Sequence, residues 1–423
     1  MNDDLALAHW LAQMQHPDPA HIELGLERLN HVLPRLALRH NPLTFTIAGT
    51  NGKGTVSAML AEGLAGAGKR VGLYTSPHLD RFNERIVVDA QPVESLQLVQ
   101  ALERVERARQ GVALTYFEYA TLAALVSFDD CDVDARVLEV GLGGRLDAVN
   151  AVEPDVCVLT NVALDHQRWL GDTLDQIGAE KAAIFRPGKP AICAVAAPPD
   201  SVLAAAARCG AKLSLASQAY SWRRDGARHW RWLSGVCSIE GLPWFDAAQS
   251  ANAAAVLMAL KSVDLLASLS QDDIATLVQC RPPGRLESLN DCPRILLDVC
   301  HNPASVARLA DHLQQLPVNG EITLVFGAMR DKQIGLMLES LVPWVRRWIA
   351  VAANGGRAMP ADVLAASMSQ LSVRPALVGG SPWQGFQRAR ELTPESGCVV
   401  VAGSFPVVGQ VRARLYCGAW KEQ

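Results

Sequence analysis

The chain has 423 residues, 49% of them hydrophobic and 19% charged, with a net charge of −4. That length exceeds one ordinary core and implies two or three domains, and the composition is that of a globular chain rather than a disordered one. No run approaches the apolar length that spans a bilayer, and the acidic start Met1-Asn-Asp-Asp-Leu5 lacks the basic region of a secretory leader. A cytoplasmic protein without a membrane partner is therefore expected, and the negative balance argues against a broad nucleic-acid surface. Ten cysteines are scattered without a C-x-x-C pair, as reduced and mostly buried thiols would be.

From Leu43 onward, β-rich runs at 43–48, 70–75, 135–140, 155–160 and 190–195 alternate with helical patterns, which implies parallel strands joined by crossover helices. The segment 219–245 differs. It is rich in Trp and Arg, and its short alternating runs read as a small antiparallel excursion at the edge of the first domain. A helix over 271–280 is stopped by Arg281-Pro-Pro-Gly284, a stiff connection that sets the boundary between a first domain, 1–283, and a second, 284–423. A second alternating series follows at 294–298, 322–326, 347–351 and 398–402. The fold class expected is α/β: a P-loop parallel-sheet ATPase domain, then a smaller doubly wound α/β domain.

Chemistry concentrates after the strands. Ala48-Gly49-Thr50-Asn51-Gly52-Lys53-Gly54-Thr55 follows the first strand and opens a helix expected over 56–67, the context a phosphate loop requires. Its glycines let backbone N–H groups face a phosphate chain, Lys53 reaches the outer phosphates, and Thr55 offers a hydroxyl to Mg²⁺. In a parallel sheet the ligand crevice lies at the carboxyl ends of the strands, so Glu139, leading into Gly141-Leu-Gly-Gly-Arg-Leu-Asp147, is a Mg²⁺ ligand candidate. Asp165-His166 and Ser76 end two further strands and are candidates for the same shell. Taken singly, an acidic residue in such a place is about as often structural as functional, and a lone histidine is more often a hydrogen-bonded structural residue.

Together these segments resemble the folylpolyglutamate synthase and dihydrofolate synthase family of the Mur ligase superfamily. The match is carried by Ile22-Glu-Leu-Gly-Leu-Glu-Arg28, Gly49-Thr-Asn-Gly-Lys-Gly-Thr55, Thr75-Ser-Pro-His-Leu79, Leu114-Thr-Tyr-Phe-Glu118, Glu139-Val-Gly-Leu-Gly-Gly-Arg-Leu-Asp147, Leu164-Asp-His166, Glu180-Lys-Ala182, Pro283-Gly-Arg285, Asp298, His301-Asn-Pro303 and Gly403-Ser-Phe405. The resemblance implies that Thr50, Asn51, Gly52 and Lys53, with Gly54 and Thr55, hold ATP, and that Thr55, Ser76, Glu139, His166 and Lys181 serve two Mg²⁺ ions. Lys181 falls where the family has a lysine carboxylated by CO₂. Asn252 falls at the adenine side, Arg285 and Asp298 contact ATP from the linker and second domain, and His301 and Ser404 line the glutamate side. The implied pterin contacts are Glu23, Leu24, Gly25 and Leu26, then Thr115, Tyr116, Phe117 and Glu118, then Leu146, Asp147 and Ala148. Gln167-Arg168 departs from the Thr-Asp often seen after the histidine, and Cys300 replaces a usual Ala; neither is a proposed ligand.

The implied reaction is ATP-dependent addition of L-glutamate to dihydropteroate and to reduced folates through an acyl phosphate, with Lys53, His166 and Lys181 at the chemistry. The implied protein is a monomer. Its two domains would close over ATP about the Pro-Pro-Gly hinge to keep water from the acyl phosphate. No nucleophilic side chain is needed, which agrees with the lack of a G-x-S-x-G or Cys/His signature. A folylpolyglutamate synthase without the first activity is one alternative. A cell-wall precursor ligase of the same superfamily is another, although the roughly forty residues before the first strand are few for its extra domain. A nucleotide-hydrolysing switch would leave the second α/β domain unexplained.

Overall fold

The computed structural model describes residues 3–14, 23–289, 291–316, 321–371 and 376–417; Ile22, the first residue of the N-terminal match, lies outside them. The chain divides into two compact units, one of residues 1–77 and 82–281, the other of 78–81 and 282–423.

The first unit is built on β1 (Leu43–Ala48), β2 (Val71–Tyr74), β3 (Ile86–Val88), β4 (Gln91–Pro92), β5 (Ala135–Glu139), β6 (Val156–Leu159), β7 (Pro190–Cys193) and β8 (Lys212–Leu215). Their order is β4-β3-β2-β5-β1-β6-β7-β8, parallel from β2 to β8 and antiparallel at the β3 and β4 edge. Alternate residues of each strand enter opposite cores, because side chains leave a pleated strand on alternating faces. Phe45, Ile47, Val137, Val156 and Val158 pack with the helices Lys53–Gly66, Ala247–Lys261 and Gln271–Gln279. Tyr74, Leu138, Cys157 and Leu159 pack with Ser95–Arg109 and Tyr116–Asp130. Covered on both faces, these strands read as continuous apolar runs rather than alternating ones. After β1 the chain crosses to β2, comes back as β5, and later continues as β6 on the other side of β1, so the direction of winding reverses around β1 and opens a crevice at the carboxyl ends of β5, β1 and β6.

The expected antiparallel excursion is a three-stranded sheet, β9 (Ser221–Asp225), β10 (His229–Ser234) and β11 (Cys237–Pro243). Trp230 and Trp232 are buried, and the Trp232 indole N–H donates to the Ala254 carbonyl at 3.1 Å. The excursion is thus anchored to the helix Ala247–Lys261.

The second unit is a doubly wound sheet of β12 (Glu287–Leu289), β13 (Arg294–Asp298), β14 (Ile322–Phe326), β15 (Arg347–Ala350), β16 (Leu377–Val378) and β17 (Cys398–Ala402), in the order β12-β13-β17-β14-β15-β16. Only β12 runs antiparallel to its neighbour among these described strands. Helices Pro303–Gln314, Ile334–Glu339 and Ala361–Leu371 cover one face, and Pro382–Leu392 and Phe405–Tyr416 the other. The short strands β3, β4, β8, β12 and β16 are not expected from sequence, because runs of two to four residues carry too little periodicity. The helix after the phosphate loop begins at Lys53, three residues earlier than expected, since Gly52 (φ 84°) turns the chain directly into it.

Candidate active site

The loop after β1 is shaped by two glycines at positive φ, each with little room for a side chain. Gly49 (φ 151°) packs so closely on Thr160 that a β-carbon would overlap its hydroxyl, and a β-carbon on Gly52 would lie 3.0 Å from Asn252 Oδ1. The end of β6 then clamps the loop. Asn161 Oδ1 accepts from the backbone N–H of Thr50 (3.1 Å) and of Asn51 (2.7 Å), the Thr160 hydroxyl donates to the Asn51 carbonyl (2.6 Å), and the Thr50 hydroxyl donates to the Ala163 carbonyl (3.1 Å). The loop amides at 50 and 51 are engaged by Asn161, while those of Lys53, Gly54 and Thr55 lie in the first helical turn, where N–H groups point out along the axis toward an anion. Lys53 Nζ curls over the loop, donating to the Gly49 carbonyl at 3.0 Å. Asn161 is a residue the motif reading did not single out; its signal is an amide directly after a strand that adjoins the phosphate-loop strand.

Glu139, at the end of β5 and buried, accepts from the Ser76 N–H at 3.2 Å, and a β-carbon on Gly54 would lie 3.6 Å from its Oε2. The strand order β2-β5-β1 therefore unites Ser76, Glu139 and the Gly54-Thr55 turn. Thr55 is buried at the helix start. Lys181 comes from the helix Leu174–Ala182, which opens with a Thr173–Gln176 capping box. It is buried, and its Nζ donates to the Gly49 carbonyl at 3.1 Å. Burial pushes the Lys181 ammonium down to about 7; the Lys53 charge adds to this, against Asp165, Asp147 and Glu180. The glycine run after β5 presses on this helix: a β-carbon on Gly144 would lie 2.6 Å from the Glu180 carbonyl and 3.0 Å from that of Lys181, and Arg145 Nε donates to Glu180 Oε1 at 2.8 Å. His166 begins the short helix Gln167–Leu170 in a left-handed conformation (φ 52°), 3.9 Å from Asp165 Oδ2 and with its side chain 37% exposed.

These donors suit a hard divalent cation. The expected set is one carboxylate, two hydroxyls, a histidine and a lysine that is a ligand only as a carbamate, and its oxygen donors are of the kind that bind Mg²⁺ while leaving positions for phosphate and water. No group of three or more His, Cys, Asp or Glu able to hold a metal occurs among the described residues, so a resident ion would need ligands beyond such a cluster.

The three segments expected to contact the pterin also lie on the first unit. Gly25 N–H donates to the Leu146 carbonyl at 3.2 Å. Thr115 and Glu118 form a reciprocal capping box on the helix Tyr116–Asp130, and Glu118, buried, also accepts from Arg28. Tyr116 meets Phe82 edge-on at 6.1 Å, with the Arg85 guanidinium 5.5 Å from its ring. Phe117 lies 6.0 Å from Tyr74 and backs onto Gly141, where a β-carbon would come within 2.6 Å of its ring. Asp147, next to half-exposed Leu146 and buried Ala148, accepts from the N–H groups of Val149 (3.0 Å) and Leu142 (2.9 Å). Burial raises its carboxyl to about 6 despite those bonds and the Lys53 charge. Leu24 and Leu26 are half-buried and Glu23 is exposed.

On the second unit, Asp298 accepts from the N–H groups of Leu286 and Cys300, both at 2.8 Å. The Arg285 guanidinium lies 5.2 Å from the Phe405 ring and the His301 ring 5.8 Å from it. Ser404 donates to the Gly327 carbonyl at 2.9 Å. Arg285, Asp298, His301 and Ser404 thus gather around the carboxyl ends of β13 and β17.

Two domain families match this architecture: residues 47–225 the Mur ligase middle domain, and residues 284–405 the Mur ligase glutamate ligase domain. The class is therefore that of the Mur ligases. The chain is 37% identical over 409 residues to the dihydrofolate synthase/folylpolyglutamate synthase of Escherichia coli strain K12, covering 96% of this chain and 94% of that one. E. coli FolC in complex with DHPP and ADP superposes with a TM-score of 0.91 at 35% identity over 98% of both chains. A bifunctional folylpolyglutamate synthase/dihydrofolate synthase with Mn, AMPPNP and L-glutamate bound gives 0.89 at 37% identity, over 97% of this chain and 98% of that one. The chain belongs to the dihydrofolate synthase/folylpolyglutamate synthase family.

Proposed function

We propose that the protein is an ATP-dependent carboxylate–amine ligase that adds L-glutamate to dihydropteroate, giving dihydrofolate, and to reduced folates, extending their glutamate chain. The observation that carries this reading is the convergence of Glu139, Ser76 and Lys181 on one phosphate loop, in a chain whose relatives bear both activities in their name and have been solved with nucleotide, DHPP, Mn and glutamate. In this reaction the acceptor carboxylate attacks the γ-phosphorus of ATP and ADP leaves. The deprotonated amine of glutamate then attacks the acyl phosphate and expels phosphate, forming the amide. Lys53 and the N–H groups opening the helix Lys53–Gly66 hold the phosphates and stabilise the charge that develops on them. Thr50, Asn51 and Gly52 shape the loop, with Asn252 beside it.

Glu139, Thr55, Ser76 and His166, with Lys181 as a carbamate, would hold the divalent ions, which supply charge neutralisation on the phosphates. A lysine held near neutrality is suited to carbamylation, because only the unprotonated amine attacks CO₂. Arg285 and Asp298 are assigned to the nucleotide and His301 and Ser404 to glutamate. The pterin end of the acceptor is assigned to the segments around Gly25, Tyr116 and Asp147. A cytoplasmic location belongs to the same proposal; all ten cysteines are free thiols, and no helix among the described residues is long and apolar enough to cross a membrane.

The test is ADP release with ATP, Mg²⁺ and glutamate, offering dihydropteroate and a reduced folate in separate reactions and weighing each product by mass spectrometry. Turnover of both acceptors is expected. Turnover of folate alone would remove the first activity and the pterin assignment, and turnover of neither would return the cell-wall ligase reading.

A further inference from the structure

We propose that Arg28 is a positioning residue that assembles the acceptor pocket from separate segments of the chain, so that its loss weakens binding of the pterin-bearing acceptor and not of ATP. The inference rests on the acceptor assignment above.

Arg28 sits in the short helix Glu27–Val32, which is seated in the core through Leu29 and Val32. From that footing its guanidinium reaches two acceptor segments at once. Nε donates to both carboxylate oxygens of Glu118 at 2.9 Å, Nη2 donates to the Glu23 carbonyl at 3.1 Å, and Nη1 pairs with the Glu23 carboxylate. Such a fork holds two partners at a fixed angle in a way that a lysine ammonium cannot.

The capping of the helix Tyr116–Asp130 does not depend on this contact. Glu118 Oε2 accepts from the Thr115 N–H at 2.7 Å, and the Thr115 hydroxyl accepts from the Glu118 N–H at 3.3 Å. What Arg28 adds is the tie to residues 23–26, which form no helix or strand. The same segment is tied to the loop after β5 by the Gly25 N–H, which donates to the Leu146 carbonyl. Without Arg28 the buried Glu118 carboxylate loses this counter-charge and the link between Glu23 and Glu118 is broken. The pocket edge must then be ordered at the moment of binding, a cost that falls on acceptor affinity.

The experiment is steady-state kinetics of the full chain with ATP, Mg²⁺, glutamate and dihydropteroate. Arg28→Met is expected to raise KM for dihydropteroate about tenfold or more, the effect of losing charge-assisted hydrogen bonds, with KM for ATP changed less than about twofold. Glu118→Gln keeps a side chain able to serve the capping box but loses the charge, and it should show the same selective rise; Arg28→Lys should recover only part of the affinity. An unchanged acceptor KM in Arg28→Met, or equal rises in both KM values with a lowered Tm, would reduce Arg28 to a structural residue and overturn the proposal. Should Arg28→Met fail to fold, Arg28→Lys decides on the same readout. Wild-type inactivity toward every pterin acceptor would instead overturn the ligase reading and this inference together, whereas wild-type turnover with an unmoved KM overturns only this one.

Discussion

Lys181 is a lysine placed where an ammonium is least at home. Its folded value near 7 lies well below the usual 10.5, chiefly through burial, so between those values the unfolded chain binds more protons and stability rises with pH. The penalty is present in full below about pH 7 and fades as the pH climbs toward 10.5. Lys181→Met in the nucleotide-free protein, kept free of CO₂, should therefore raise Tm, more at pH 6.5 than at pH 9.5, by the equivalent of a few kcal/mol at most, while abolishing ligase activity. A lower Tm at pH 6.5 would show that the lysine contributes to stability as it stands. The identity of Lys181 is visible in the sequence only by resemblance, since a lysine on a helix is ordinarily solvated; burial between the phosphate loop and the glycine run is what sets it apart. Asn161 and Arg28 show the converse, residues of ordinary appearance whose importance comes wholly from what they touch.

At the scale of elements, the glycine run Gly141-Leu-Gly-Gly144 acts as the seat for the helix that carries Lys181. A methyl group on Gly144 would press on two backbone carbonyls, at 2.6 and 3.0 Å, and backbone cannot turn aside as a side chain can. Gly144→Ala should displace the helix Leu174–Ala182, reducing kcat at least tenfold and lowering Tm by a few degrees, in line with roughly 1–3 kcal/mol for overpacking. Unchanged kcat with lowered Tm would mean that the position of Lys181 does not depend on this seat. The main strands were legible because both faces of each sheet are covered, which writes them as apolar runs; 43–48, 294–298, 322–326 and 398–402 match β1, β13, β14 and β17 residue for residue. Edge strands such as Gln91–Pro92 and Leu377–Val378 were not, being exposed and two residues long.

On the scale of the whole molecule, the chain leaves the first unit after Pro77, gives His78–Arg81 to the second and returns at Phe82. Leu79 packs into the second unit's core, so close to the helix Phe405–Tyr416 that a β-carbon on Gly409 would overlap the Leu79 backbone carbonyl. Gly409→Ala should cost about 1–3 kcal/mol and lower Tm by a few degrees. Adding Leu79→Ala should give no relief, because the collision is with backbone. Full recovery of Tm in the double variant would place the collision on the side chain instead.

The sequence by itself determined the α/β class, the alternation that builds two sheets, and the phosphate loop, because these depend on local patterns of apolar residues, glycines and charge. Only the tertiary structure decided which residues meet. Strand order brings Ser76, Glu139 and Thr55 to one crevice, burial lowers the Lys181 ammonium to about 7, and a guanidinium fork joins Glu23 to Glu118 across more than ninety residues of chain. Such pairings arise from crossover connections and packing, which leave no periodic trace in the sequence.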